Sequence, residues 1–175
     1  MHTRSINEEE LRGWFAGRLP TDWFEGTPEV TVDREEILVV GALPDVKLEK
    51  DATEQTRTAA RESRIESFRE ETRGKRMEVA DEAQGRFRRI VSWGVTCGDT
   101  KRLFTTASIP VMTRLRQPER QVLDTLVSAG VARSRSEALA WCVKLVGEHQ
   151  TDWISGLREA LSQVEERRRE GPVVV

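Results

Sequence analysis

Arg133, Ser134, Arg135, Ser136 and Glu137 bring two kinds of chemistry together in five residues. Ser134 can cap a helix, and Glu137 three positions later completes a capping box. A helix opened in this way presents unpaired backbone N–H groups and the positive end of its dipole. With Arg133 and Arg135 beside it, such an end suits a phosphate oxygen. Further basic groups stand at Lys75, Arg76, Arg86, Arg88 and Arg89, at the ends of a long helical stretch. They can contact phosphate, or they can form a solvated helix face in which Arg69 and Arg73 pair with Glu62 and Glu66.

Catalytic raw material is sparse. Histidine occurs only at His2 and His149, and cysteine only at Cys97 and Cys142, without CxxC spacing. Thiols in separate apolar contexts read as small buried side chains rather than as a disulfide or metal site. The glycines at 13, 17, 94 and 98 lack the strand–turn–helix setting of a phosphate loop. Carboxylates are plentiful, but no pair stands apart from the helix surfaces, and no nucleophile sits with a base. The expectation is a protein that is not an enzyme and carries no metal or cofactor.

The chain has 175 residues, a third of them charged, and a net charge of −2. That length suits one medium domain or two small ones. Charge is unevenly spread. Residues 1–57 carry 7 basic and 13 acidic groups, residues 58–121 carry 14 and 9, and residues 122–175 carry 7 and 8. A local basic excess matters more for phosphate contact than the net charge does. No signal-like segment opens the chain, and no apolar run approaches the roughly 20 residues a membrane helix needs. A cytoplasmic location without membrane contact is expected.

Asn7, the acidic run Glu8 to Glu10 and an apolar face of Leu11, Trp14 and Phe15 predict a helix over 7–18. Trp14-Phe15 and Trp23-Phe24 form the densest aromatic cluster, either core filling or a surface for a protein partner or a base. Alternation predicts strands over 29–33 and 36–43, joined as a hairpin through Asp33-Arg34-Glu35. Residues 45–51 read as a loop. A helical period runs from 52 to 91, with Gly74 as its break. Strands are expected at 91–97 and 102–106, around a turn at 98–101. The result is an α-β-β-α-β-β unit. It has neither a GxxG loop nor an RNP-type aromatic motif, so no RNA-binding role follows from its outline.

After it, residues 109–115 alternate as a short strand with Val111, Thr113 and Leu115 facing inward. A first helix carries Val122, Leu123, Leu126 and Val127, and Ala129-Gly130-Val131 makes a turn. A second helix carries Ala138, Leu139, Cys142, Val143 and Val146. This order, the eight-residue step from Leu115 to Leu123 and the opening Ser-Arg-Ser-Glu-Ala-Leu resemble the ribbon-helix-helix family of dimeric DNA-binding proteins. The resemblance covers residues 109–147, or 39 of 175. It implies a homodimer whose strands pair across a two-fold axis and enter the major groove. The groove-facing positions it implies are Pro110, Met112 and Arg114, with Arg116 following. The phosphate anchor it implies is Arg133, Ser134, Arg135 and Ser136.

The pattern also departs from the family. Pro110 and Met112 offer no hydrogen-bonded base readout, and Glu119 and Arg120 stand where the family often has apolar residues. Trp141 and Leu145 add apolar surface to a helix face that is usually wet. A further helix over 151–169, with a stripe of Trp153, Leu157, Leu161 and Val164, is expected to cover them.

The sequence therefore predicts an α+β protein with a domain over 1–106, a ribbon-helix-helix-like domain with one extra helix over 107–169, and a flexible tail over 170–175. Its expected function is that of a dimeric DNA-binding protein, a transcriptional regulator or a nucleoid-associated protein. The alternative is a protein-interaction module that uses the C-terminal segment only to dimerise.

Overall fold

A computed structural model describes residues 7–170, without the side chain of Glu165. The chain is mixed α+β, with one four-stranded sheet and six helices among the described residues. It divides into two compact units between Pro110 and Val111. The predicted tail lies almost wholly outside the described residues. No helix among them is long and apolar enough to cross a membrane.

The first unit begins with α1, Glu8–Arg18, capped by Asn7, whose side chain accepts the Glu9 N–H. Pro20 follows closely and lacks the N–H a longer helix would need. Strands β1 (Glu29–Val32) and β2 (Glu36–Leu43) form the expected hairpin. Its turn is held by Asp33, whose Oδ1 accepts the N–H groups of Glu35 and Glu36 at 2.8 and 2.7 Å. Two helices follow, α2 (Glu54–Glu71) and α3 (Arg73–Phe87), and lead to β3 (Ile90–Cys97) and β4 (Thr100–Leu103). The sheet order is β1-β2-β3-β4, with β2 and β3 parallel and both outer pairs antiparallel. A parallel pair needs a crossover, and α2 and α3 provide it.

The break between these helices falls at Thr72, not at Gly74 as the sequence suggested. Thr72 Oγ1 donates to the Phe68 carbonyl at 2.6 Å and accepts from Arg76 Nε at 3.0 Å. A side chain bonded back to the previous turn bends a helix more effectively than a glycine that touches nothing, and Gly74 has open space where a Cβ would stand.

One face of the sheet packs on the helices. Ile37, Val39, Trp93 and Val91 meet Leu11 and Phe15 of α1 and Val79, Ala83 and Phe87 of α3. Leu43, Val95 and Cys97 meet Ile65 of α2. The rings meet edge to face, Phe15 and Trp23 on Trp93 and Trp14 on Phe87. The aromatic cluster is therefore core: Phe15 and Trp23 are buried, and only Trp14 and Phe24 keep an accessible edge. Gly41 lets Phe24 lie flat on β2, since a Cβ there would stand 2.2 Å from the ring. At the far end, Arg61 of α2 clamps Asp45 after β2 and Asp99 in the β3–β4 turn.

The second unit contains α4 (Gln117–Ser128), α5 (Arg135–His149) and α6 (Thr151–Glu170). Gly130 turns the chain between α4 and α5 with φ +75°, a conformation that costs glycine little. His149 ends α5 rather than lying in a loop. The core of this unit is small. Leu123, Ala132 and Ala138 are buried, with Leu115, Leu126, Val127, Leu139 and Cys142 packed around them. Val122, Val143 and Val146, expected inside, are exposed. So are Trp141 and Leu145, because α6 does not fold over them; its own Trp153 is 61% exposed.

Candidate nucleic-acid interface

Residues 105–116 run between β4 and α4 without strand pairing in the single chain. Alternating extended backbone forms a ladder only when a second strand lies beside it. Val111 and Met112 are 87% and 98% exposed, so the expected inward orientation of Val111 and Thr113 is absent from one copy. Leu115 does reach the small core. Arg120 explains its own place in the pattern, donating from Nη1 to the Leu115 carbonyl at 2.8 Å and fixing the approach to α4. The side chains of Arg114 and Arg116 have no hydrogen-bond or ion-pair partner among the described residues, and Arg114 is exposed. Met112 and Arg114 lie two positions apart, which in a paired ribbon would put both on one face.

Ser134 caps α5 as the sequence predicted, but the Glu137 carboxylate reaches the N–H of Arg133, one residue before the cap, and not that of Ser134. The Ser134 side chain accepts the Glu137 N–H, and the Glu137 carboxylate accepts the Arg133 N–H at 2.7 Å. The backbone N–H groups of Arg135 and Ser136 remain without a partner among the described residues, as the first turn of a helix requires. The two arginines beside them are not free. Arg133 pairs with Glu137, and Arg135 pairs in bidentate fashion with Asp124 of α4. Each acid is held below its ordinary carboxylate range. For Glu137 the main cause is the backbone hydrogen bond from Arg133, and for Asp124 it is the side-chain hydrogen bond from Arg135. Asp124 was missed at the sequence level, because eleven residues separate it from Arg135 and only the α4–α5 turn brings them together.

The central basic residues do not gather into one surface. Arg76 is buried, with Nη2 on the Arg69 carbonyl at 2.7 Å and its guanidinium 4.8 Å from the centre of the Phe104 ring. Burial pushes its pKa down, with Arg69 and Arg73 adding repulsion. It cannot reach a phosphate and is corrected here to a structural residue. Lys75 pairs with Glu78, and Arg86 pairs with Glu10 of α1. Arg89 donates to the Asp33 and Arg88 carbonyls, tying the hairpin to the start of β3. Arg88 is exposed and takes the left-handed conformation that ends α3. With Arg34 and Arg89 it borders an open groove of about 410 Å³, where Glu35 is the one acidic lining residue. Of the pairs expected on a solvated helix face, Arg69 meets Glu66, whereas Glu62 pairs with Arg102 of β4.

Among the described residues no group of three histidines, cysteines or carboxylates is placed to hold a metal ion. Cys97 is buried and Cys142 half-buried, and both are free. Burial pushes the Cys97 thiol pKa up, which keeps it protonated.

Comparison with known proteins matches both units. A family described as the N-terminal domain of Rv1265-like protein matches residues 9–103, and one described as the Mb1296 C-terminal domain matches residues 116–168. Uncharacterized protein Mb1296 of Mycobacterium bovis and uncharacterized protein Rv1265 of Mycobacterium tuberculosis are each 59% identical over 159 residues. Each match covers 91% of this chain and 69% of the relative. No solved structure matches the chain. With both units and most of its length aligned in this way, the chain belongs to the Rv1265-like family.

Proposed function

We propose that the protein is a dimeric DNA-binding protein of ribbon-helix-helix type, acting as a transcriptional regulator or nucleoid-associated protein. One observation carries this reading. Segment 109–115 has no strand partner within its chain, yet it leads through Leu115 into a helical unit whose second helix opens on the Ser134 cap. A second copy would pair with that segment and cover the helices, and the resulting ribbon would present Met112 and Arg114. The free N–H groups of Arg135 and Ser136 would take a phosphate oxygen.

The test is retention of sheared genomic DNA by the purified protein at near-physiological salt, followed by sequencing of the retained fragments. Enrichment of a few palindromic sites supports a regulator. Broad retention that fades steeply with salt supports a nucleoid-associated protein. No retention refutes DNA binding.

A second reading, a dimeric protein-interaction module, is favoured by two specific observations. Val111 and Met112 make the segment apolar where a base reader is polar, and Arg135 is neutralised by Asp124. Failure to retain DNA would move the search to a protein partner for that apolar segment.

A further inference from the structure

We propose that the groove between the β1–β2 turn and the α3–β3 junction binds a small phosphorylated ligand, a phosphate monoester with an apolar group attached. The site lies wholly within the first unit and does not depend on the DNA reading. Charge, backbone conformation and shape carry it.

Arg34 of the hairpin turn and Arg88 and Arg89 after α3 border the groove, against the one carboxylate of Glu35. Their backbones are tied together. The Ile90 N–H donates to the Glu35 carbonyl at 3.0 Å, and Arg89 Nε donates to the Asp33 carbonyl at 3.1 Å. The site therefore does not have to be assembled when a ligand arrives. Arg34 and Arg88 are exposed, and their side chains have no hydrogen-bond or ion-pair partner among the described residues. Arg89 uses Nε and Nη1 on carbonyls, which leaves Nη2 for a ligand. Forked guanidinium donors match phosphate oxygens, and such charge-assisted hydrogen bonds are strong.

The backbone of Arg88 points the same way. Among the described residues it is the one non-glycine with positive φ, at 56°. Glycine ordinarily stands at this position after a helix, because a Cβ is strained there. The carbonyl end of a helix attracts a cation by itself, but Arg86 in the last turn of α3 already meets that need. It also gives no reason for Arg34, which comes from another element.

Shape selects the ligand. The groove holds about 410 Å³, the size of a small-molecule site. Ile90 and Ile109 form its apolar wall, and both are exposed. The segment that carries Ile109 is tied to the sheet by the Ala107 N–H, which donates to Glu36 Oε1 at 2.8 Å. Two isoleucines beside three arginines suit an apolar body with a phosphate head. A duplex backbone carries charge at every step and has no apolar group to set against them.

The test is isothermal titration of the full chain with inorganic phosphate and with phenyl phosphate at low ionic strength. Phenyl phosphate is expected to bind more tightly, and Ile109→Ala to abolish that preference. Arg34→Ala is expected to raise both dissociation constants roughly tenfold, as for the loss of a hydrogen-bonding charged group. Lys101→Ala, which removes a positive charge from exposed β4, is expected to change neither. Arg88→Gly separates ligand from fold. It should lose binding as Arg34→Ala does, while the thermal midpoint without ligand holds or rises, since glycine accepts this φ without strain. The proposal is overturned if neither phosphate binds, or if Arg34→Ala and Arg88→Gly bind both like wild type. Weaker duplex binding by Arg34→Ala, without any binding of phenyl phosphate, assigns these arginines to the DNA backbone and overturns it likewise. A wild-type chain that ignores DNA but binds phenyl phosphate through Arg34 supports this site and sinks only the DNA reading.

Discussion

Arg135 and Asp124 grip each other across the turn between α4 and α5, Nε to Oδ1 at 2.6 Å and Nη2 to Oδ2 at 2.7 Å. Two parallel donors fill both carboxylate oxygens, a geometry that only arginine provides. The pair fixes how α5 leaves the turn. It also places an acid at the helix end that the DNA reading gives to phosphate.

A released Arg135 should therefore bind phosphate better than a clamped one. Asp124→Asn is expected to tighten DNA binding and to steepen its salt dependence by roughly 0.9 logarithmic units per arginine freed. Arg135→Ala should weaken binding, and so should Arg114→Ala, without altering the dimer. Fluorescence titration of a DNA duplex over a salt series checks both effects. If Asp124→Asn matches wild type in affinity and slope, the start of α5 does not meet DNA.

Local chemistry was legible in the sequence wherever a residue acts on its near neighbours. Asn7 caps α1, Asp33 closes the hairpin, and Ser134 with Glu137 opens α5, all within four residues of their partners. What depended on distant chain was not legible. Arg76 looked like one more surface cation of a basic stretch. Its burial depends on Phe104, 28 positions later, and on the backbone kink at Thr72. Nothing near Arg86 announced Glu10, 76 residues earlier. The apolar stripe of α6 was legible as a stripe, but its cover was not. The sequence suggested α5, and the structure leaves both helices open. A hydrophobic period shows that a face must be buried without showing what buries it.

Asp45 gives the first unit a defined acid sensitivity. The hydrogen bond from Arg61 lowers its pKa from 3.8 to about 2. A carboxylate depressed by folding contributes stability above its unfolded value, and that contribution is lost as pH falls through the folded value. The thermal midpoint of wild type should therefore fall faster than that of Asp45→Asn between pH 3.8 and about 2. At neutral pH the variant should be the less stable of the two, and the gap should close toward the acid end. A gap that stays constant with pH would show that Arg61 gains nothing from this charge.

Gly41 and Arg76 make the first unit's packing testable by substitution. Gly41→Ala places a methyl group 2.2 Å from Phe24, against a ring wedged on Trp23 and Phe68. Overpacking of this kind costs about 2 kcal/mol. Arg76→Met removes the donor to the Arg69 carbonyl and to Thr72 and should cost a similar amount, about 2–3 kcal/mol. Chemical denaturation of each variant measures these losses. The folded Arg76→Met protein should bind DNA as wild type does; a selective loss of binding would return Arg76 to the interface.

The second unit should melt as an assembly and the first as a single chain. Three small buried residues, Leu123, Ala132 and Ala138, make too little core for a unit of this length, since small domains without disulfides or metals need oligomerisation to hold together. Its exposed residues include Val143, Trp153 and Leu161, and burying each such side chain is worth about 1.5–3 kcal/mol. That stabilisation is available only when a second copy is bound, so it scales with protein concentration by mass action. Calorimetry is expected to show two transitions. The one from the second unit should rise in temperature with each tenfold increase in concentration, and Leu157→Glu should flatten that rise. The transition of the sheet domain, whose core is closed within one chain, should not move. If both transitions are independent of concentration, the open faces of α5 and α6 are not covered by another copy, and the dimeric reading falls with them.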